Sequence, residues 1–509
     1  MKNPKITGYV THAQGDRTHR VSFRMYCARK SWTTLFMVTG VCWPGGAGAH
    51  AWNIPYYLPV PLWLYAYASA GTLILSFAIL SLASGQSFSL RASRVEGPHR
   101  EWRIPIAIFS AIQVVCSLFL VFLAISGIAG AQNPFQNIGM TGFWIWFYLG
   151  YLYLSAVLGD FYAFVNPFEM VLRIVARYCP SIDTGWFRYP LRVAYYPALI
   201  GYVVLIALEL FGSGTPSDVS LFLGAYLAYA LIGSLCFGRA VWSEYFDTLG
   251  MLCRLCAMLS ALAWTTRSDR TVGIRFRRPL AEIASGATRP ASVVVFLSFM
   301  LSSTAFDGLR DTAPWSAFFW RHIYTHIVDH WPALAKDYAL SANLFLGWQW
   351  TMFVVTGAVY YLVFMGFCWL SAAVSRTSLD GASLARQFCL ALLPIAFFYN
   401  VCHYFTLFLN QGRQVLLLAS DPLGRGWHLF QVPPAAYPGT QPPVNMSLVW
   451  HAQVFFILLG HLLSVYIAHA IALRNRDLAR TVMINQLPLL VLTIGLTISG
   501  LWILSLPLA

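Results

Sequence analysis

Apolar runs of about twenty residues recur along this chain, and they constrain its fold more than any other feature of its 509 residues. A helix needs about 20 consecutive apolar residues to cross the roughly 30 Å hydrocarbon core of a bilayer. Lipid offers unpaired backbone groups no hydrogen-bond partner, so each crossing must be helical. The sequence therefore predicts an all-α polytopic integral membrane protein with about ten transmembrane helices. The predicted spans are 62–84, 104–126, 142–159, 193–211, 219–238, 290–306, 344–373, 387–409, 449–473 and 486–506.

The distribution of basic residues predicts which loops face the cytoplasm. Short loops on the cytoplasmic side of a membrane protein are enriched in Lys and Arg. One set of alternate loops carries 20 such residues and the other carries 5. The basic set is 85–103, 160–191, 239–289, 374–386 and 474–485, and the other is 127–141, 212–218, 307–343 and 410–448. The net charge of +14 thus indicates topology rather than nucleic-acid binding. We expect a bacterial inner-membrane protein with its C-terminus outside.

The first 49 residues have the layout of a secretory signal. Residues 1–31 are polar and basic, 32–43 are apolar, and small residues end the segment at Ala47 and Ala49. Cleavage there would leave a single transmembrane helical domain, 50–509, with its mature N-terminus outside. It would also make His50 the terminal residue, whose amine and imidazole suit a metal such as copper. An uncleaved anchor is the alternative.

The segment 246–264 is nearly long enough to be a further span. Arg254 lies at its middle, where a charge costs at least about 2.5–3.5 kcal/mol in a bilayer. A crossing here would also reverse the charge pattern of the loops that follow. We therefore predict one interfacial or re-entrant helix on the cytoplasmic side.

Three evenly spaced histidines distinguish the outer loop 307–343. His322, His326 and His330 lie four residues apart, with Asp329 beside the last. Side chains at i and i+4 of a helix share a face, about 5–6 Å apart at Cβ. One ion could bind either neighbouring pair. It could not bind all three, because the outer two lie about 12 Å apart along the axis. An amphipathic helix lying on the membrane surface is the alternative.

Other polar residues that apolar helices rarely hold converge on the same predicted face. Histidine with carboxylate is a ligand set for zinc, copper, nickel or iron, and such an ion can generate hydroxide from bound water. We predict a divalent transition metal, zinc or similar, bound by His322, His326 and His403. Asp307 or Asp329 would be a further ligand or base. The converging residues are His50, Glu209, Asp307, Asp311, His322, His326, Asp329, His330, His403 and His451.

The outer loop 410–448 contains turn residues around Ser420-Asp-Pro and then a proline-rich run. A compact cap over the outer face is the simpler interpretation of this loop. A lid over a substrate cavity is the alternative, in which Asp421, Arg425 and His428 would be the working groups.

Several stretches resemble the multi-pass bacterial proteins named fenitrothion hydrolase, a membrane-bound organophosphorus hydrolase with two protein components. They include AHAWNIPYYLPVPLWLY from Ala49, GDFYAFVNPFEMVLR from Gly159, SSTAFDGL from Ser302, NVCHYFTLFLNQG from Asn400 and SDPLGRGW from Ser420. The resemblance runs from about His50 to the C-terminus. It implies cleavage of the P–O–aryl bond of a hydrophobic phosphotriester, with release of a nitrophenol. It also implies a second membrane subunit.

Two functions follow. The first is a metal-assisted phosphotriester hydrolase, in which Asp307 or Asp329 acts as ligand or base and Arg425 or the ion steadies charge on the phosphoryl group. The second is a transporter or metal-handling membrane protein, with His403, His461 and His469 as a relay through the bilayer.

Overall fold

A computed structural model describes residues 59–83, 101–375, 377–433, 445–475, 478 and 482–506. Within these residues, nine helices are long and apolar enough to cross a membrane, one fewer than the ten predicted spans. The remaining predicted span, 193–211, contains a helix of 16 residues, about 24 Å long and thus shorter than the hydrocarbon core. The main helices are α1 (Leu62–Ala83), α2 (Ile106–Ala129), α3 (Ile138–Leu158), α4 (Tyr196–Phe211), α5 (Pro216–Phe237), α6 (Thr248–Ala257), α7 (Ala291–Arg310), α8 (Tyr338–Ser375), α9 (Gly381–His403), α10 (Met446–Arg474) and α11 (Val482–Ser505).

Shorter helices occupy the connections between these main helices. A continuous helical stretch, 313–330, follows α7 and is called here the histidine helix. Its middle six residues, Phe319–Tyr324, are π-helical. The remaining short helices are Tyr162–Val165, Pro167–Ala176, Ser181–Thr184, Arg239–Val241, the π-helical Trp242–Phe246, Ile283–Ser285, Pro332–Lys336, Phe405–Asn410, Gly412–Gln414 and Val415–Ser420.

Hydrogen bonds between loops define the two ends of the helical bundle. At one end the Arg474 side chain donates a hydrogen bond to the carbonyl of Ala284. The backbone amide of Arg289 donates one to the carbonyl of Arg386. At the other end the amide of Ala131 donates to the carbonyl of Leu423, and the loops 130–138, 213–217 and 421–425 meet. Each of these contacts joins loops of the same predicted set. Their assignment to cytoplasm and exterior stays a prediction.

An antiparallel three-stranded sheet lies at the first of these ends, in the order β1 (Glu101–Pro105), β3 (Thr271–Phe276), β2 (Leu262–Thr266). The prediction of an all-α fold missed this sheet. Its alternate apolar residues, Ile104, Val272 and Ile274 among them, pack on Phe109 of α2. We call this end of the bundle the sheet end, and the other the opposite end.

Helix α6, Thr248–Ala257, lies in the first half of the segment 246–264, which we predicted to be an interfacial or re-entrant helix. It has ten residues, about 15 Å, which is too short to span. Nine of the ten are buried, so the helix lies inside the protein rather than on its surface. The Arg254 guanidinium donates hydrogen bonds to the carbonyls of Ser243 and Glu244. These bonds satisfy its donor groups close to the sheet end.

Helix α7 is the most enclosed of the nine long helices, with 83% of its apolar window buried. Neighbouring helices pack around it, including α8 and α9. The C-terminal end of α7 lies at the opposite end of the bundle, and residues there, such as Phe306 and Asp307, are buried.

Candidate functional site

An aspartate and a histidine from distant parts of the chain meet at the opposite end of the bundle. Asp307 lies in the last turn of α7, and His403 is the last residue of α9. The Asp307 Oδ2 and His403 Nε2 atoms are 2.6 Å apart. The carboxylate side chain is 3% exposed and the imidazole 18%. The pair is therefore shielded, while the ring keeps some access to the outside.

Gly308 allows the imidazole to come this close to α7. A Cβ at this position would lie 3.0 Å from Cγ2 of Ile503 and 3.7 Å from Nδ1 of His403. A larger side chain would push against both α11 and the ring. The small residue next to Asp307 is thus part of how the site is built.

A second acid lies beside this pair. Glu209, near the end of α4, accepts a hydrogen bond of 2.6 Å from the hydroxyl of Tyr404. Tyr404 directly follows His403, and the two rings pack edge to face with centroids 4.7 Å apart. The other carboxylate oxygen of Glu209, Oε2, is buried with no hydrogen-bond partner among the described residues. Two acids thus reach the same place, each bonded to one of two consecutive residues.

Arg310 lies close to the site and pairs with Asp311. Its guanidinium is 3.1 Å from Asp311, donates to the carbonyl of Leu210 and lies over the ring of Phe211. Asp311 is the more exposed of the two aspartates that flank Arg310 in this segment. The partner of Asp307 is His403.

The remaining predicted residues of the loop 307–343 lie elsewhere, on the exposed histidine helix. His322, His326, Asp329 and His330 are all exposed. The ring of His326 contacts that of His330, with centroids 6.0 Å apart, and the ring of His322 contacts Phe318. Asp307 and His403 are instead only 3% and 18% exposed. The predicted ligand set is therefore divided between two places.

The predicted metal centre stays a prediction. Asp307 and His403 bring one carboxylate and one imidazole together, and a catalytic zinc ion takes three protein ligands. Within the part of the chain that the structure describes, no group of three or more His, Cys, Asp or Glu side chains is placed to hold an ion. His50 lies outside the described residues, together with the signal-like segment.

The loop after α9 is a compact turn as far as the structure describes it. Asp421 accepts hydrogen bonds from the amides of Arg425 and Gly426. Burial alone would raise the pKa of Asp421, but these amides favour the carboxylate and the pKa is lowered. The Arg425 guanidinium donates to the carbonyl of Ala129, and His428 is exposed. Residues 434–444, which would complete a lid, lie outside the described residues.

The intramembrane histidines His461 and His469 are buried in α10, 2% and 1% exposed. His469 Nδ1 is 3.2 Å from Oε1 of Gln486. His461 Nδ1 bonds to the carbonyl of Ile457, and its Nε2 is buried with no hydrogen-bond partner among the described residues. The third intramembrane histidine, His403, is the partner of Asp307.

Sequence reasoning assigned no role to Tyr404 or to Gly308. The sequence signal that could have indicated Tyr404 is its position directly after His403. Consecutive helical residues point in different directions, so the Tyr404 hydroxyl reaches a different neighbouring helix, where it contacts Glu209. Glu209 was placed on the correct face but without a partner. No family model, curated protein or solved structure matches this chain.

Proposed function

We propose that this chain is a membrane-bound hydrolase of neutral, lipophilic organophosphorus triesters, in which Asp307 and His403 activate water. The single observation that carries the proposal is the 2.6 Å bond between the buried carboxylate and the partly exposed imidazole. A carboxylate on one ring nitrogen fixes the orientation of a histidine and stabilises its protonated form. The other nitrogen is then the base.

The chemistry needs one proton transfer and one displacement at phosphorus. His403 Nδ1 takes a proton from water while the water oxygen forms a bond to phosphorus. The P–O–aryl bond breaks, and its electron pair leaves with the aryloxide. The proton on the imidazole then passes to the aryloxide or to solvent, giving a phosphodiester acid and a nitrophenol. General base catalysis of this kind contributes about 10²–10⁴-fold.

The surroundings of the pair suit a substrate that dissolves in lipid. Next to the site, Trp315 contacts both Phe306 of α7 and Trp348 of α8, and Trp350 stacks on Phe211 with ring centroids 4.1 Å apart. Trp and Tyr concentrate where a protein crosses the membrane–water boundary. A triester that partitions into the bilayer would meet the site at that depth. We expect this to be the periplasmic face, because the loops predicted to lie there carry few Lys and Arg residues.

Metal assistance stays a prediction, and no step above depends on it. If an ion takes part, Asp307 and His403 are two donors at the site, and the chemistry it would supply is acidification of bound water. A second membrane subunit also stays a prediction. The apolar faces of α1 and α8 have room for one, since only 17% of each window is buried within this chain.

The test uses membranes that hold the chain and measures nitrophenol release from a fenitrothion-type triester, with and without a chelator. Asp307→Asn keeps the size of the side chain but removes its charge, and we expect release to fall about 100-fold or more. Asp311→Asn is the matched control, because Asp311 lies four residues further on and is paired with Arg310. Equal activity of the two variants would end the proposal. Inhibition by the chelator would support the metal-assisted form.

A transporter is the second candidate, and it is favoured by the buried Nε2 of His461, which has no hydrogen-bond partner among the described residues. A buried polar atom without a partner is costly and marks a functional position. Proton or metal uptake into vesicles that is lost in His461→Gln, with no ester cleavage by the parent protein, would select this function.

A further inference from the structure

We infer that His326 and His330 form a two-histidine chelating site for a divalent transition cation on the exposed face of the histidine helix. This site is separate from the Asp307–His403 pair. The two histidines lie one α-helical turn apart within Thr325–His330, and their ring centroids are 6.0 Å apart. Each imidazole nitrogen lies about 2 Å from a bound ion, so two rings that share an ion have centroids within about 6 Å. The rings are already at this separation.

The hydrogen bond of His330 leaves the correct nitrogen available. Its Nδ1 is 2.9 Å from the backbone carbonyl of His326. A carbonyl only accepts hydrogen bonds, so Nδ1 is the atom that carries the proton. The lone pair of the neutral ring is then on Nε2, and the residue as a whole is exposed. Histidines that bind metals commonly donate their other N–H to a backbone carbonyl in this way, which fixes the tautomer and the ring orientation.

The π-helical turn decides which of the two possible pairs forms. In a π-helix the hydrogen bonds run from i to i+5, so residues four apart are not aligned as they are in an α-helix. His322 lies inside the π-helical part and His326 just beyond it. The ring of His322 instead contacts Phe318, at 5.6 Å. The sequence allowed either neighbouring pair, and the structure selects His326 with His330.

The chemistry of the pair indicates the kind of ion. Imidazole suits Zn²⁺, Ni²⁺ and Cu²⁺, whereas Mg²⁺ and Ca²⁺ prefer oxygen ligands. Both residues are exposed, so water or an external ligand completes the coordination. The neighbouring Asp329 is also exposed and adds negative charge. We therefore expect a reversible surface site rather than a closed structural one.

The experiment titrates Ni²⁺ alone into the purified, detergent-solubilised full chain, carrying an affinity tag without histidines. We expect His326→Ala and His330→Ala each to weaken the strongest Ni²⁺ binding about tenfold or more, because a chelate of two becomes a single ligand. His322→Ala is the matched control and should stay within about threefold of the parent protein. All three side chains are exposed, so none of the changes should disturb the fold.

Hydrogen exchange gives a second measurement. Ni²⁺ should slow amide exchange across Thr325–His330 in the parent protein and in His322→Ala, but not when His326 and His330 are both replaced. An equal loss of affinity in all three single variants would contradict the selection of this pair, because His322 would then contribute as much as the two proposed ligands. Unchanged binding in His326→Ala and His330→Ala would remove the site altogether. Neither result depends on whether the chain hydrolyses an ester.

Discussion

Two regions of this molecule place histidine near aspartate, and they differ in nearly every physical respect. At the end of α7, Asp307 is 3% exposed and bonded to His403. On the histidine helix, Asp329 and the neighbouring His326 and His330 are exposed. Asp307 and His403 are 96 positions apart in the sequence. His326 and His330 lie one turn apart on the same helix. The hydrogen bond between Asp307 and His403 is shielded from water, while the rings of His326 and His330 are open to solvent.

The difference shows what each region can do. Electrostatic interactions are stronger where water is excluded, so a buried carboxylate can hold a partner histidine in one protonation state and orientation. Exposed rings gain little from one another but remain free to bind an ion. We therefore propose water activation for the buried pair and reversible metal binding for the exposed one.

The largest expected effect separates the two regions by activity. Asp307→Asn should lower nitrophenol release about 100-fold or more, because neutral Asn no longer stabilises the imidazolium form of His403. The measurement is the initial rate of release in membranes with matched amounts of chain. A comparable loss in a variant that lacks His326 and His330 instead would move the chemistry to the exposed helix and reverse the comparison.

The second prediction concerns stability. His403→Ala removes the imidazole beside a buried carboxylate, and breaking one partner of a buried pair costs about 3 kcal/mol. His322→Ala removes an exposed ring and should change the free energy of unfolding by about 0.5 kcal/mol or less. Denaturant unfolding in detergent measures both. Equal costs would mean that the Asp307–His403 pair is not the shielded contact described above.

The helices were predictable because their signal is local. The span predicted at 62–84 corresponds to the helix Leu62–Ala83. The span predicted at 290–306 corresponds to the helix Ala291–Arg310, which continues four residues further. Run length and hydrophobicity need no knowledge of other segments. The sheet was missed for a related reason. Arg267, Arg270 and Arg275 lie in or between its strands, and such a density of charge in a short segment is typical of a loop.

Membrane topology predicted which residues of the site share one face of the membrane, but not which of them contact each other. Alternating spans placed Asp307, His403 and Glu209 on one face of the membrane. They could not show that His403 bonds to Asp307 while Tyr404 bonds to Glu209, 195 residues away. Helical spacing likewise offered two pairs of histidines. The π-helical turn, which decides between them, has no signal in this sequence that we can identify.

A third prediction tests how tightly the buried site is packed. Gly308→Leu places a side chain against Ile503 and the ring of His403. Overpacking of this kind costs about 1–3 kcal/mol, and displacement of the ring should lower nitrophenol release with it. Gly347→Leu is the control, since a Cβ at Gly347 meets nothing within 4 Å and Leu favours helix. Full activity in Gly308→Leu would show that the position of the ring is not critical.

The smallest expected effect tests whether the two regions are independent. The hydroxyl of Tyr324 on the histidine helix is 2.7 Å from that of Ser341 on α8. Tyr324→Phe removes this bond at a cost of about 1 kcal/mol, so amide exchange across 313–330 should become faster. Tyr338→Phe is the control, because that side chain is 87% exposed. Nitrophenol release should stay within about twofold in both variants, because Asp307 and His403 are held by α7 and α9. If Tyr324→Phe also lowers release, the histidine helix supports the buried pair, and the two regions act as one site.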